Sequence, residues 1–250
     1  MFKKFIILAL FLLTSLFAQN NKDNFYVGLG EYVQTQPYTN TDAVSVPFPT
    51  FFYDNHIVYI RLTRLGVYFM GSSSDEFSWG ASFTAQPRPF GYKSEDSSTL
   101  TTMNERKTSW EAGLAISMQT KHIFFEGMIL NDVLNNYNGY MARAELGLDY
   151  KIDEWSFYPS ILAIYHSKEI NNYYYGVQNS EAIQGRNAYT SEAGTDFGAQ
   201  VYIKYNFIPH WHALLNLRSD KLSNEITNSP IVSDDFMYSG IVSLLYSFEL

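Results

Sequence analysis

The sequence predicts an all-β fold, a transmembrane up-and-down antiparallel β-barrel of about twelve strands. Three observations carry that expectation. The first is parity. Between Thr108 and His166, Trp110, Ala112, Leu114, Ile116 and Met118 fall on one side of an alternation, and Glu111, Gly113, Ala115, Ser117 and Gln119 on the other. A period of two marks strands, because successive side chains point to opposite faces. The second is length: the alternating segments run about ten residues or more, enough to cross a bilayer at a tilt. The third is the sorting of connections. Counting strands alternately up and down, the long ones (34–44, 87–107, 167–193, 223–236) fall at one end. Short turns at Asp54-Asn55, Thr120-Lys121, Lys151 to Glu154 and Phe207 to Pro209 fall at the other. Outer-membrane barrels show this asymmetry, with short periplasmic turns and longer external loops.

The chain has 250 residues, no cysteine and a formal charge of −8. Absence of cysteine excludes a disulfide framework, a thiolate metal site and a lipidated N-terminal cysteine. A net acidic chain without a basic patch argues against nucleic acid as a partner. Aromatics reach 17%, with 20 Tyr and 19 Phe, which suits a protein that lines two membrane interfaces with rings. Mean hydropathy is only −0.17; in a barrel, the polar half of each strand conceals the apolar half.

Residues 1–18 read as a secretory signal peptide, leaving 19–250 as the barrel. Lys3 and Lys4 form a positive start, Phe5 to Phe17 an apolar run of thirteen residues, and Ala18 a small residue at the cleavage point. That run is short against the roughly 20 residues of a spanning helix. Export and barrel patterning together point to the outer membrane of a Gram-negative cell.

In order, the strands are expected at Asn24 to Tyr32, Ser45 to Tyr53, His56 to Leu62, Leu65 to Met70 and Phe77 to Gln86. Next come 108–119, 122–132, 139–150 and 155–166, then Gly194 to Asn206, His210 to Leu222 and Met237 to Glu249. Pro47 and Pro49 remove ladder donors, so the second strand is expected to be irregular or edge-like. Thr63-Arg64 and Gly71 to Glu76 read as turns; merging the weak pair at 56–70 would leave ten strands.

The inward parity carries Glu111, Arg143, Glu145, Asp149, Lys204 and Arg218. Charges there are expected to pair across the lumen, as a structural network closing a narrow barrel or as the lining of a selective passage. Tyr150, Trp155, Tyr205, Trp211, Tyr246 and Phe248 gather at the short-turn end and read as an interfacial girdle. No catalytic, cofactor or metal site is expected. His210 and His212 lie two apart but lack an evident third ligand, and Asp75-Glu76 and Asp234-Asp235 read as solvated loop charges.

Several segments carry a resemblance. Asn172 to Tyr189 reads NYYYGVQNSEAIQGRNAY, with Tyr174, Tyr175, Gly176, Val177, Glu181, Ala182 and Tyr189 at the matching positions. Leu100, Met103 and Arg106 precede a Gly113-Leu114 strand, Val46-Pro47-Phe48 stands near Tyr53, and the chain closes on Leu245-Tyr246-Ser247-Phe248. In order and spacing these resemble the MipA/OmpV family, the MltA-interacting proteins of the outer membrane. The stretch after Pro37-Tyr38 departs from the family's glycine-serine turn. The resemblance implies a non-catalytic scaffold in cell wall biogenesis that brings a lytic transglycosylase near a peptidoglycan synthase. Small-solute channel and surface adhesin are the alternatives it leaves. Other partners expected of such a protein are outer-membrane lipid, lipopolysaccharide and the barrel assembly machinery, which reads a closing aromatic strand.

Overall fold

In the computed structural model the described residues are 24–88 and 90–249; the expected signal peptide, 1–18, lies outside them. The strands are β1 (Asn24–Gln34), β2 (Val44–Asp54), β3 (Val58–Arg61), β4 (Arg64–Ser73), β5 (Phe77–Arg88), β6 (Ser109–Thr120) and β7 (Ile123–Asp132). They continue with β8 (Tyr140–Leu148), β9 (Tyr150–Ile152), β10 (Trp155–His166), β11 (Gly194–Ile208), β12 (Trp211–Lys221) and β13 (Phe236–Glu249). Asp149 interrupts one continuous stave, so β8 and β9 together form a single strand paired to β10. Each strand pairs antiparallel with its sequence neighbours. β13 closes on β1 from Asn24↔Glu249 to Gln34↔Ser239. The result is a closed twelve-strand barrel, and no helix among the described residues is long and apolar enough to cross a membrane.

The parity expected from sequence is the parity of the wall. Leu29, Phe83, Leu114, Ile129, Ile161, Phe197, Leu217 and Val242 are all more than half exposed. Thr50, Ser82, Glu111, Glu126, Glu145, Gln200 and Asn216 are buried on the other face. Apolar outside and polar inside is the inverse of a water-soluble barrel, and it is what lipid requires.

The weak pair at 56–70 is two strands, but their limits differ from the expectation. The turn is Leu62-Thr63, with Leu62 at φ 59°, and Arg64 already belongs to β4. β4 has a bulge between Tyr68 and Met70 and runs on to Ser73, so the strand itself takes up the first residues of the expected Gly71 to Glu76 turn. Gly71, Ser72 and Ser73 stay in the ladder opposite Gly80, Trp79 and Ser78. Gly66 is required here: a Cβ would stand 2.2–2.5 Å from the Tyr59 ring, which packs on it and is itself 2% exposed.

β3 is short, which leaves a notch in the wall. β2 pairs with β3 only from Phe52 to Asp54, with one further bond from the Leu62 N–H to the Phe51 carbonyl. Above Phe51, no described residue pairs with β2 on the side away from β1. Residues 47 and 49 share the parity of Phe51, so their backbone polar groups face that open edge. Both are proline, and an edge without N–H donors cannot recruit a foreign strand fully.

The long connections are folded. Helix α1 (Lys168–Tyr175) lies within 167–193, and a one-turn helix α2 (Asn224–Thr227) within the last external loop. Ile170 and Tyr174 of α1 pack with the inward Met128, Leu130, Met141, Leu162 and Ile164, filling the long-loop half of the lumen on that side.

Candidate functional site

Two polar assemblies stand out, one in the external cap and one in the short-turn half of the lumen. The cap joins four loops. Tyr38, Tyr92, Leu100, Met103, Val177 and Ile231 form one buried apolar cluster, with Tyr175 and Tyr189 packed against it. At its centre Arg106 and Glu181 form an ion pair in which the Arg106 Nη2 donates to both carboxylate oxygens, at 3.0 and 2.9 Å, their side chains 5% and 2% exposed. Arg106 also donates to the carbonyls of Tyr173 and Asn104. Glu181 accepts from the backbone N–H groups of Asn104 (2.9 Å) and Gln178 (3.0 Å). Burial alone would raise the Glu181 carboxyl, but those N–H groups and the guanidinium outweigh it and hold it below the usual carboxylate range.

The residues of the family-like segments therefore converge. Leu100, Met103, Val177 and Tyr189 meet in the apolar cluster, and Arg106 and Glu181 meet in the ion pair, with Ala182 half-buried beside it. Tyr174 donates to the Lys107 carbonyl at 2.9 Å. Gly176 ends α1, where a Cβ would fall 2.3 Å from the Asn172 carbonyl oxygen. Two short bridges, Tyr92↔Arg106 and Val177↔Tyr189, complete the frame. Arg186, which the sequence reading did not single out, donates to the Thr99, Thr101 and Glu181 carbonyls and ties the same loops.

Of the six lumen charges, most make local pairs. Arg143 bonds Glu145 two residues along β8, and Arg218 bonds Asp220 two along β12 at 2.7 and 2.9 Å. Asp149 accepts from Lys151 at 3.1 Å, and Glu111 from Arg88 at 2.6 Å and from the Tyr137 hydroxyl at 2.7 Å. Lys204 faces the Tyr26 ring, 5.1 Å from its centre. Local pairing follows from the inward parity, which sets residues i and i+2 on one face of a strand.

Contacts that reach beyond a neighbouring strand bring in residues absent from that expected set, with Glu145 and Lys204 the members of the set that take part. Arg61 and Arg64 both bond Glu126, at 2.8 and 2.6 Å, and Arg61 also bonds Asp54 at 2.9 Å. Glu145 accepts from Ser160 at 2.7 Å and from Gln200 at 2.6 Å. Glu126 and Glu145 are direct partners in the β7–β8 ladder. Like charges opposite one another are unfavourable, and the flanking arginines on each offset that repulsion. Glu126 could have been found, because it shares the inward alternation Phe124, Glu126, Met128, Leu130.

Below this belt the lumen holds a cavity of about 1000 Å³. It runs from Arg64, Glu126, Arg143 and Gln200 to the exposed His56 and Gln119 at the short-turn end, and it also reaches the Leu62-Thr63 turn at the notch, where Thr63 is exposed. His210 and His212 do not form a pair of ligands. His212 points inward with both ring nitrogens engaged, by Asn206 and Ser247, while His210 sits in the turn at φ 67°.

The six girdle rings lie at the short-turn end. Trp155 stacks on Tyr205 at 4.3 Å, and Tyr246 meets Trp211 at 5.2 Å and Phe248 at 4.8 Å. Tyr150 is 57% exposed and lies beside Phe157.

A closed barrel with a greasy exterior, a charged interior and long loops at one end defines an outer-membrane β-barrel protein. Residues 27–248 match the family described as MltA-interacting protein MipA. The chain belongs to that family. It is 26% identical to the MltA-interacting protein of Escherichia coli (strain K12) over 243 residues, 96% of each chain. It is 25% identical to the outer membrane protein Omp26La of Vibrio anguillarum, covering 96% of this chain and 99% of that one. It is also 26% identical to the outer membrane protein OmpV of Vibrio cholerae serotype O1, over 75% of this chain and 72% of that one. Among solved structures it is similar to the COG4313 outer membrane channel from Pseudomonas putida F1. That match has 14% identity and a TM-score of 0.47, over 92% of this chain and 97% of the other. The protein is located in the outer membrane.

Proposed function

We propose that the protein is a non-catalytic interaction platform whose working face is the periplasmic, short-turn side. Its partners in this reading are a lytic transglycosylase and a peptidoglycan synthase, held together at the outer membrane. One observation carries the choice of side. Four external loops interlock over the mouth through the Arg106–Glu181 pair and the apolar cluster around it, whereas the lumen cavity reaches exposed residues at the short-turn end. The partner class comes from the relative named MltA-interacting protein, aligned over 96% of this chain.

Pull-down from a detergent extract tests the reading. A transglycosylase and a synthase should be recovered above a barrel control, and recovery of neither sinks it. The cavity itself favours a second reading, a small-solute channel. Passage would require the cap to open, so the intact protein should give no conductance steps in a planar bilayer. Steps whose size changes on Arg143→Gln would favour the channel instead.

A further inference from the structure

The lumen cavity has an unbalanced wall. Arg61, Arg64, Arg143 and Lys204 line it, against the carboxylates of Asp54, Glu126 and Glu145. All three carboxylates are taken by arginines, Asp54 by Arg61, Glu126 by Arg61 and Arg64, and Glu145 by Arg143. Lys204 is the cation left over. Among the described residues no carboxylate lies within 4.0 Å of its ammonium, which stands over the Tyr26 ring. Arg64 and Arg143 each keep a buried Nε–H without an acceptor. A buried donor is ordinarily satisfied, and Lys204 is half-buried with no ion-pair partner. Tyr158 and Tyr202 are direct ladder partners on the same wall, two residues farther from the short-turn end than the pairing of Lys204 with Ser156. Both line the cavity.

We propose that this cavity is a binding site for a small anionic sugar entering from the periplasm. Its carboxylate would be held by Lys204, and its ring would lie against the Tyr158–Tyr202 wall. The cavity volume is in the range that encloses small ligands. The inference goes beyond the platform reading and does not need it, because no partner protein takes part.

Calorimetric titration of the refolded full chain in detergent tests it, with D-glucuronate as the probe and D-glucose as the neutral comparison. Glucuronate should bind saturably and more weakly as salt rises, and glucose at least tenfold more weakly. Lys204→Met should weaken glucuronate at least tenfold, Lys204→Arg should retain it, and Lys221→Met, at the far end of β12, should leave it unchanged. Circular dichroism checks that each variant folds; if Lys204→Met does not, Lys204→Gln reads the same loss. No saturable binding, equal binding of glucose, or an unaltered Lys204→Met overturns the proposal. A failed pull-down with successful titration would remove the platform alone.

Discussion

Arg106 and Glu181, 75 residues apart in the chain, meet in an ion pair buried beneath the external loops, with one guanidinium nitrogen bonded to both carboxylate oxygens. One residue comes from the loop after β5 and the other from the loop after β10, so the pair fastens two connections that share no strand. A buried carboxylate survives only when its lone pairs are filled, and Glu181 has the guanidinium and two backbone N–H groups.

Removing one partner should therefore be severe and local. Arg106→Ala or Glu181→Ala is expected to cost about 3–5 kcal/mol of cap stability, because each leaves an uncompensated buried charge. Limited proteolysis should cut within 167–193 while the strands stay protected. The double variant should cost much less than the two singles added together, and strict additivity in a double-mutant cycle would count against the pairing.

The same carboxylate makes the cap acid-sensitive. Its folded pKa lies below the usual value of about 4.3. Its contribution is complete above the unfolded pKa and is lost as pH falls through the folded one. Protection from hydrogen exchange across 177–190, taken relative to the intrinsic amide rate, should fall as pH drops through the lowered Glu181 pKa. Glu181→Gln should flatten that profile, and a profile identical to the parent's would argue that another group is responsible.

The parity of the wall can be tested at one pair of positions. Leu114 faces outward from the middle of β6 and is 52% exposed, whereas Ser117 on the same strand lines the lumen cavity. Leu114→Arg should cost about 2–4 kcal/mol in a bilayer, as a charge facing midplane lipid does. Ser117→Arg should cost less, since its side chain meets water. Equal losses in urea titrations from lipid vesicles would contradict the orientation.

Pro47 and Pro49 face the notch above β3. Restoring N–H groups with the double change Pro47→Val and Pro49→Val should leave the barrel folded but create donors on an unpaired edge. The expected outcome is a larger species in detergent by light scattering. A variant that remains the size of the parent would mean that the edge is covered by other means.

Alternation alone determined much of this protein. It separated the lipid face from the lumen face at Leu114, Leu217 and Val242. It also set the count of staves and the end carrying the short turns, because a strand's side-chain period is a local property of its backbone. The prolines of β2 likewise announced an edge before any strand was placed. What the tertiary structure decided is which distant residues meet. Arg61 and Arg64 reach Glu126 on β7, and Arg106 reaches Glu181, because barrel closure and shear, not spacing along the chain, bring those strands and loops together. Parity says that a charge points inward, but its partner is chosen by the curvature of a wall that exists only once the last strand has paired with the first.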